Sequence, residues 1–160
     1  MMMLISLITH HPLDALAQYA GLSERFFDLR VGGVSNDAAL ILSPTAHYRG
    51  AVGHLVTISD AADDALLKWI TGTGIYWMGI SRKLGSSADL WVYNAGPSVG
   101  VNISYSNWYP GFPSVSSNAC AFIDGVTGRW FDAACNASLG YIVEFECPFG
   151  FTFGESACIG

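Results

Sequence analysis

An α+β fold is predicted for this chain of 160 residues, and three observations predict it. Helical signals are confined to the first half, around residues 36–41 and 60–71. After Gly72 the pattern changes to short β-rich runs separated by Gly, Pro, Ser and Asn, and helices segregated from strands define this class. Finally, 51% hydrophobic against 12% charged residues describes one compact domain with a real core, because disordered segments lack the apolar surface to bury.

Taken in order, residues 1–8 are apolar but lack the basic stretch of a signal peptide, and Asp14 follows soon after. The start therefore reads as that of a longer protein, cut short or mis-assigned, and residues 1–24 stay unassigned. Within them, residues 13–22 read as a short helix or a linker. Residues 25–31, with Phe26 and Phe27, read as a strand that Gly32-Gly33 breaks. Ser35 or Asn36 caps a helix through Ile41, and Pro44 disturbs its exit. Residues 54–58 form a short β-branched strand. Ser59 or Asp60 caps the clearest helix, where Asp63 and Asp64 complement the helix dipole and Leu66, Trp69 and Ile70 form an apolar stripe. Gly72 ends it. Short strands follow at residues 75–80, 90–93, 121–123 and 140–145.

Several function classes are excluded. A formal net charge of −6 lacks the electrostatic footprint of a nucleic-acid binder. No apolar run reaches the roughly 18 residues of a membrane-spanning helix. The histidines His10, His11, His47 and His54 show no HExxH spacing, no GxSxG elbow is present, and Gly72-Thr73-Gly74 is too short for a phosphate loop, so no enzyme is expected. The four cysteines, Cys120, Cys135, Cys147 and Cys158, are never spaced CxxC and read as two disulfides formed in an oxidising compartment. Asn102-Ile103-Ser104 and Asn136-Ala137-Ser138 are glycosylation sequons. Together these features predict a secreted or cell-surface extracellular protein.

Six segments, in order, resemble motifs of the C-type lectin-like domain over residues 25–146. They are His54-Leu55-Val56-Thr57-Ile58-Ser59 before an acidic helix, Tyr76-Trp77-Met78-Gly79-Ile80 for WIGL, and Trp91-Val92-Tyr93 with Gly96. The series continues with Tyr105-Ser106-Asn107-Trp108, Trp130-Phe131-Asp132 for WND between Cys120 and Cys135, and the closing Tyr141-Ile142-Val143-Glu144. The resemblance implies a C-type lectin-like fold, with two helices flanking short antiparallel sheets and a long loop region. It implies a Cys120–Cys135 disulfide, which would contribute on the order of 3 kcal/mol in the chain-entropy model. Trp77 and Trp130 are expected to be core. Val143 stands where the family's outer disulfide has a cysteine, a variant that looks more like bacterial and protist members than animal receptors.

Members that bind sugar through calcium use an EPN or QPD triplet, an acid before the third cysteine, and the Asn-Asp of WND. Here those positions read Phe112-Pro113-Ser114, Asn118 and Phe131-Asp132. Calcium takes about 6–8 oxygen ligands, several usually carboxylates, and residues 86–119 carry only Asp89, outside the motif. No metal and no cofactor are therefore expected; calcium is weighed and set aside. A calcium-free binding surface is expected from Tyr105, Trp108, Tyr109, Phe112, Asn118 and Asp132, with Trp108 closer to a core role.

Residues 147–160, reading Cys-Pro-x-Gly and then Gly-x-Ser-x-Cys, resemble the start of an ephrin-receptor-like cysteine-rich repeat or form a simple hairpin. Cys147 then pairs with Cys158 or with a cysteine further on. The expected function is a non-catalytic, calcium-independent interaction or structural module of a larger glycoprotein, in a homo-assembly or filament. Its partners are proteins or copies of itself. The alternative is a carbohydrate-binding C-type lectin with glycan partners. Scarce charge fits a surface covered by glycans, neighbouring modules or partner copies.

Overall fold

The computed structural model describes residues 16–19, 25–85, 89–114, 117–148, 151–154 and 156–160. Their element order is β1 (Leu16–Tyr19), β2 (Arg25–Val34), α1 (Asn36–Leu42), a 3-10 turn (Ser43–Thr45), β3 (His47–Tyr48), β4 (Ala51–Val52), β5 (His54–Leu55) and α2 (Ala61–Thr71). There follow β6 (Ile75–Arg82), β7 (Trp91–Tyr93), β8 (Cys120–Asp124), β9 (Arg129–Ala133), β10 (Leu139–Glu146), β11 (Thr152–Phe153) and β12 (Cys158–Ile159).

The main sheet runs β1-β2-β10-β6-β8-β9, with β5 added to β10 and β7 to β6. Its ladders are antiparallel except β10 with β6. The β2–β10 ladder, from Arg25 opposite Glu146 to Val34 opposite Leu139, closes the domain by joining its first and last long strands. Because strand side chains alternate between faces, Tyr76, Met78 and Ile80 join one core layer with Leu67 of α2, whereas Trp77 joins the other with Ala39 of α1. Trp77 and Trp130 are fully buried, as expected. The Trp77 indole nitrogen donates to the Val34 carbonyl at 2.8 Å, so its polar edge is satisfied.

Both disulfides form, Cys120–Cys135 across the β8–β9 end and Cys147–Cys158 around the β11–β12 hairpin. The hairpin packs on the domain: a Cβ added to Gly50 would lie 2.9 Å from the Ala157 Cα. The Cys-Pro-x-Gly and Gly-x-Ser-x-Cys pattern falls partly outside the described residues.

Four local expectations are corrected. Within residues 13–22, expected as a short helix or a linker, Leu16–Tyr19 form β1, a strand paired to β2; the rest of residues 1–24 lie outside the described residues. Gly32-Gly33 does not break β2. Gly33 lets the strand approach β10 so closely that an added Cβ would meet Ser138 Oγ at 2.4 Å, next to the register shift between Leu139 and Tyr141. The strand at residues 54–58 pairs only over His54–Leu55, beyond which Val56 donates to Ile142 of β10 and accepts from Gly79 of β6. In α2, capped by Asp60, the buried residues are Asp64, Leu67 and Thr71, with Leu66 and Ile70 half-buried, while Trp69 is 58% exposed. The helix faces the core with two polar residues that hydropathy does not count.

Candidate functional site

Between β7 and β8 a long loop crosses the end of the main sheet, and its root is built from tryptophans. Trp108 bridges to Trp130 of β9 through Trp130 N to Asn107 O at 3.0 Å and Tyr109 N to Trp130 O at 2.9 Å. Its ring lies 4.8 Å from Trp91 and 5.5 Å from Trp130, packed against the α2-side core. Trp108 is thereby a packing residue. Tyr105 meets Trp130 edge-on at 5.8 Å and sits in the same layer.

Beneath them is Asp64, a nearly buried carboxyl on α2. It accepts the Trp130 indole N–H at 2.7 Å and the Asn107 side-chain amide, and Arg129 reaches the other end of Asn107. Burial pushes the Asp64 pKa up, against the lowering effect of these donors. Burial also raises the Tyr105 hydroxyl, with Asp64 adding to it. This carboxyl ties helix, loop and strand together at the loop's root.

Further along the loop, Asp132 and Asn118 do come together, and an arginine absent from the sequence expectations stands between them. Arg82, at the end of β6, donates Nε to the Asn118 carbonyl at 3.1 Å and Nη2 to the Ser114 carbonyl at 2.8 Å. Nη1 pairs with Asp89, and Nη2 lies 3.9 Å from Asp132 Oδ2. The guanidinium rests 4.9 Å over the Trp91 ring. Asp132, buried, takes Ser114 N at 2.8 Å and Ser114 Oγ at 2.7 Å. Asp89, set aside as outside the motif, therefore belongs to this cluster. Its signal was available: the fork of an arginine matches several oxygens at fixed angles.

Next to this cluster the loop is pinned by rings. Tyr109 stacks on Phe131 at 5.0 Å, Phe112 meets Phe131 edge-on at 4.8 Å, and Phe122 of β8 stacks on Phe131 at 5.4 Å. Tyr109 is 41% exposed and the other three are half-buried. Phe131, in the middle of the WND-like triplet, is the hub of this face; the apolar replacement of a polar motif residue is the signal that points to it. The Phe112–Pro113 peptide is cis.

A second charged cluster lies on β10. Glu144, buried, pairs with Arg25, which also pairs with Asp63, and takes Thr57 N at 2.9 Å. His54 Nε2 meets Glu146 at 3.2 Å. Burial works against the Arg25 and His54 cations, but Glu144 and Asp63 for the first, and Glu146 and Glu144 for the second, outweigh it and raise both pKa values. The His54 bond lowers Glu146. His54, Glu144 and Glu146 are close enough to share a metal ion, yet both Glu144 oxygens are already held by Arg25 and Thr57. Both sequon asparagines, Asn102 and Asn136, are exposed.

No family model matches the chain. The human low affinity immunoglobulin epsilon Fc receptor is 36% identical over 91 residues, which cover 55% of this chain and 26% of the receptor, so the match spans about a quarter of that relative. Among solved structures, the carbohydrate-recognition domain of the mouse scavenger receptor C-type lectin superposes with a TM-score of 0.66 at 18% identity, covering 88% of this chain and 100% of that one. A calcium-independent type II antifreeze protein superposes with a TM-score of 0.65 at 24% identity, covering 86% and 98%. The chain has the C-type lectin-like fold.

Proposed function

We propose that residues 25–146 are a non-catalytic, calcium-independent interaction module of a larger extracellular glycoprotein. The observation that carries this reading is Arg82. By the resemblance, Ser114, Asn118 and Asp132 stand at positions that calcium-binding members use as ligands; here the Arg82 guanidinium takes the Ser114 and Asn118 backbone carbonyls and lies 3.9 Å from the Asp132 carboxylate. A resident cation there repels calcium and needs no ion to hold the loop. The partner is a protein or another copy of the chain, meeting the loop over Tyr109, Phe112 and Phe131. Two precedents support this: the human relative is named as a receptor for an immunoglobulin, and one structural neighbour is named calcium-independent. The exposed Tyr109 ring favours a second reading, a lectin that stacks sugar on an aromatic face.

The test is thermal melting in calcium and in chelator, paired with a glycan array under both conditions. A ligand at 100 times its Kd stabilises by about 2.7 kcal/mol, several degrees for a domain of this size. An unchanged melting temperature is expected. A calcium-dependent rise of that size, or chelator-sensitive sugar binding, would overturn the reading.

A further inference from the structure

At one end of the main sheet, where β2, β6 and β10 begin or end, a cleft of about 350 Å³ opens to solvent. Val31, Ile75 and Leu139 wall it, the Tyr76 ring lies among them, and Gly33 and Ser138 contribute its polar stretch; none of the residues lining it is charged. Val31 is 58% and Ile75 43% exposed, so part of this apolar wall is uncovered. Ser138 is also the hydroxyl residue of the sequon Asn136-Ala137-Ser138. Asn136 sits exposed in a turn closed by Ala137 N to Ala134 O at 2.9 Å. Two residues span at most about 7 Å of chain, so the Asn136 backbone lies within that distance of Ser138 in the cleft lining.

We infer that the cleft seats the inner N-acetylglucosamine of an N-linked glycan carried by Asn136. The inference rests on the extracellular reading proposed above. An uncharged sugar matches a wall without charge. Its acetyl methyl and ring C–H faces suit Val31, Ile75 and Leu139, and its hydroxyls and amide suit Ser138 and the backbone exposed by the glycines. The volume lies at the small end for ligand pockets, the scale of a single residue of glycan. In the modification itself, an oligosaccharide on a lipid diphosphate is transferred to the Asn136 amide nitrogen. The sugar C1–N bond forms, the C1–O bond to phosphate breaks, and one amide proton is lost. The seated sugar then covers the apolar wall that the chain leaves open.

The full chain is secreted from a eukaryotic host, and peptide mass mapping locates the glycans before and after treatment with an amidase that cleaves at the asparagine. Expected are an occupied Asn136, a nuclear Overhauser contact from its acetyl methyl to the Tyr76 ring, and slow enzymatic release from the native protein. In Val31→Asp, which alters an exposed position, release is expected to quicken roughly tenfold, the factor of a modest contact energy. Secretion with Asn136 unmodified, or a modified Asn136 with neither the contact nor the slowed release, overturns the inference alone. Retention of the chain with reduced cysteines overturns the extracellular reading, and this inference with it.

Discussion

Replacing Arg82 with methionine keeps much of the stem that covers Trp91 but removes the cation and its donors. Besides its place over the Trp91 ring, the guanidinium takes four polar contacts with it. The pairing with Asp89 is exposed and counts for about 0–1 kcal/mol. Two charge-assisted bonds to the Asn118 and Ser114 carbonyls count for more. The largest change is at Asp132, whose buried carboxylate keeps its bonds from Ser114 but loses the opposite charge 3.9 Å away. Removing one partner of a buried pair costs about 3–5 kcal/mol, and Ser114 offsets part of this, so about 3 kcal/mol is expected. For a domain of this size that is a fall in melting temperature of roughly 6–12 °C. Thermal melting of Arg82→Met, Arg82→Lys and the double variant Arg82→Met/Asp132→Asn reads it out. The double variant should recover part of the loss, because neutralising Asp132 removes the stranded charge, and lysine should recover little, because it lacks the fork. A methionine variant that melts within about 1 °C of the parent would show that the guanidinium does not hold the loop.

Two further outcomes follow from titrating groups. Asp64 has its pKa raised above the ordinary 3.8, so the native state binds the extra proton and the carboxyl costs stability increasingly as pH rises through that interval. The melting temperature of Asp64→Asn relative to the parent should therefore climb as pH goes from 3 to 7, and a relative fall over that range refutes it. His54 is raised above the ordinary 6.5 and Glu146 lowered below 4.5, so their pairing contributes fully between those values. It is lost as pH rises through the folded His54 value or falls through the folded Glu146 value. The stability gap between the parent and His54→Gln should peak in that window, and a gap flat from pH 4 to 9 counts against the pairing.

The parts of the fold legible in the sequence are those set by local chemistry. Asp60 as a cap and Gly72 as a stop follow from side-chain type alone, and Trp77 and Trp130 as core from the resemblance. The even set of cysteines also follows from side-chain type, although their pairing needed the resemblance. What was not legible depends on neighbours distant in sequence. Trp69 reads as a core residue by hydropathy, yet the buried face of α2 carries Asp64 and Thr71, because Trp130 and Asn107 arrive from β9 and the loop to satisfy the carboxyl. Gly32-Gly33 reads as a break until Ser138 is brought against it. Of the candidate site, Tyr109, Phe112, Asn118 and Asp132 are gathered at the far part of the loop, whereas Tyr105 and Trp108 are drawn into its root. Arg82 escaped notice because a search for ligands counts carboxylates, and the partner of a carboxylate is as often a cation from the chain itself.

That arginine changes how the loop relates to its surroundings. A diffusible ion braces a loop only in proportion to its occupancy, so the stability it lends rises and falls with ion concentration. A guanidinium joined to β6 by its own backbone has no dissociation equilibrium and no competitor at that address. The bracing of Ser114, Asn118 and Asp132 by Arg82 is therefore carried by the chain itself and does not depend on the concentration of a bound ion. Under the reading proposed above, a partner bound over the loop leaves by its own off-rate and not by the loss of an ion.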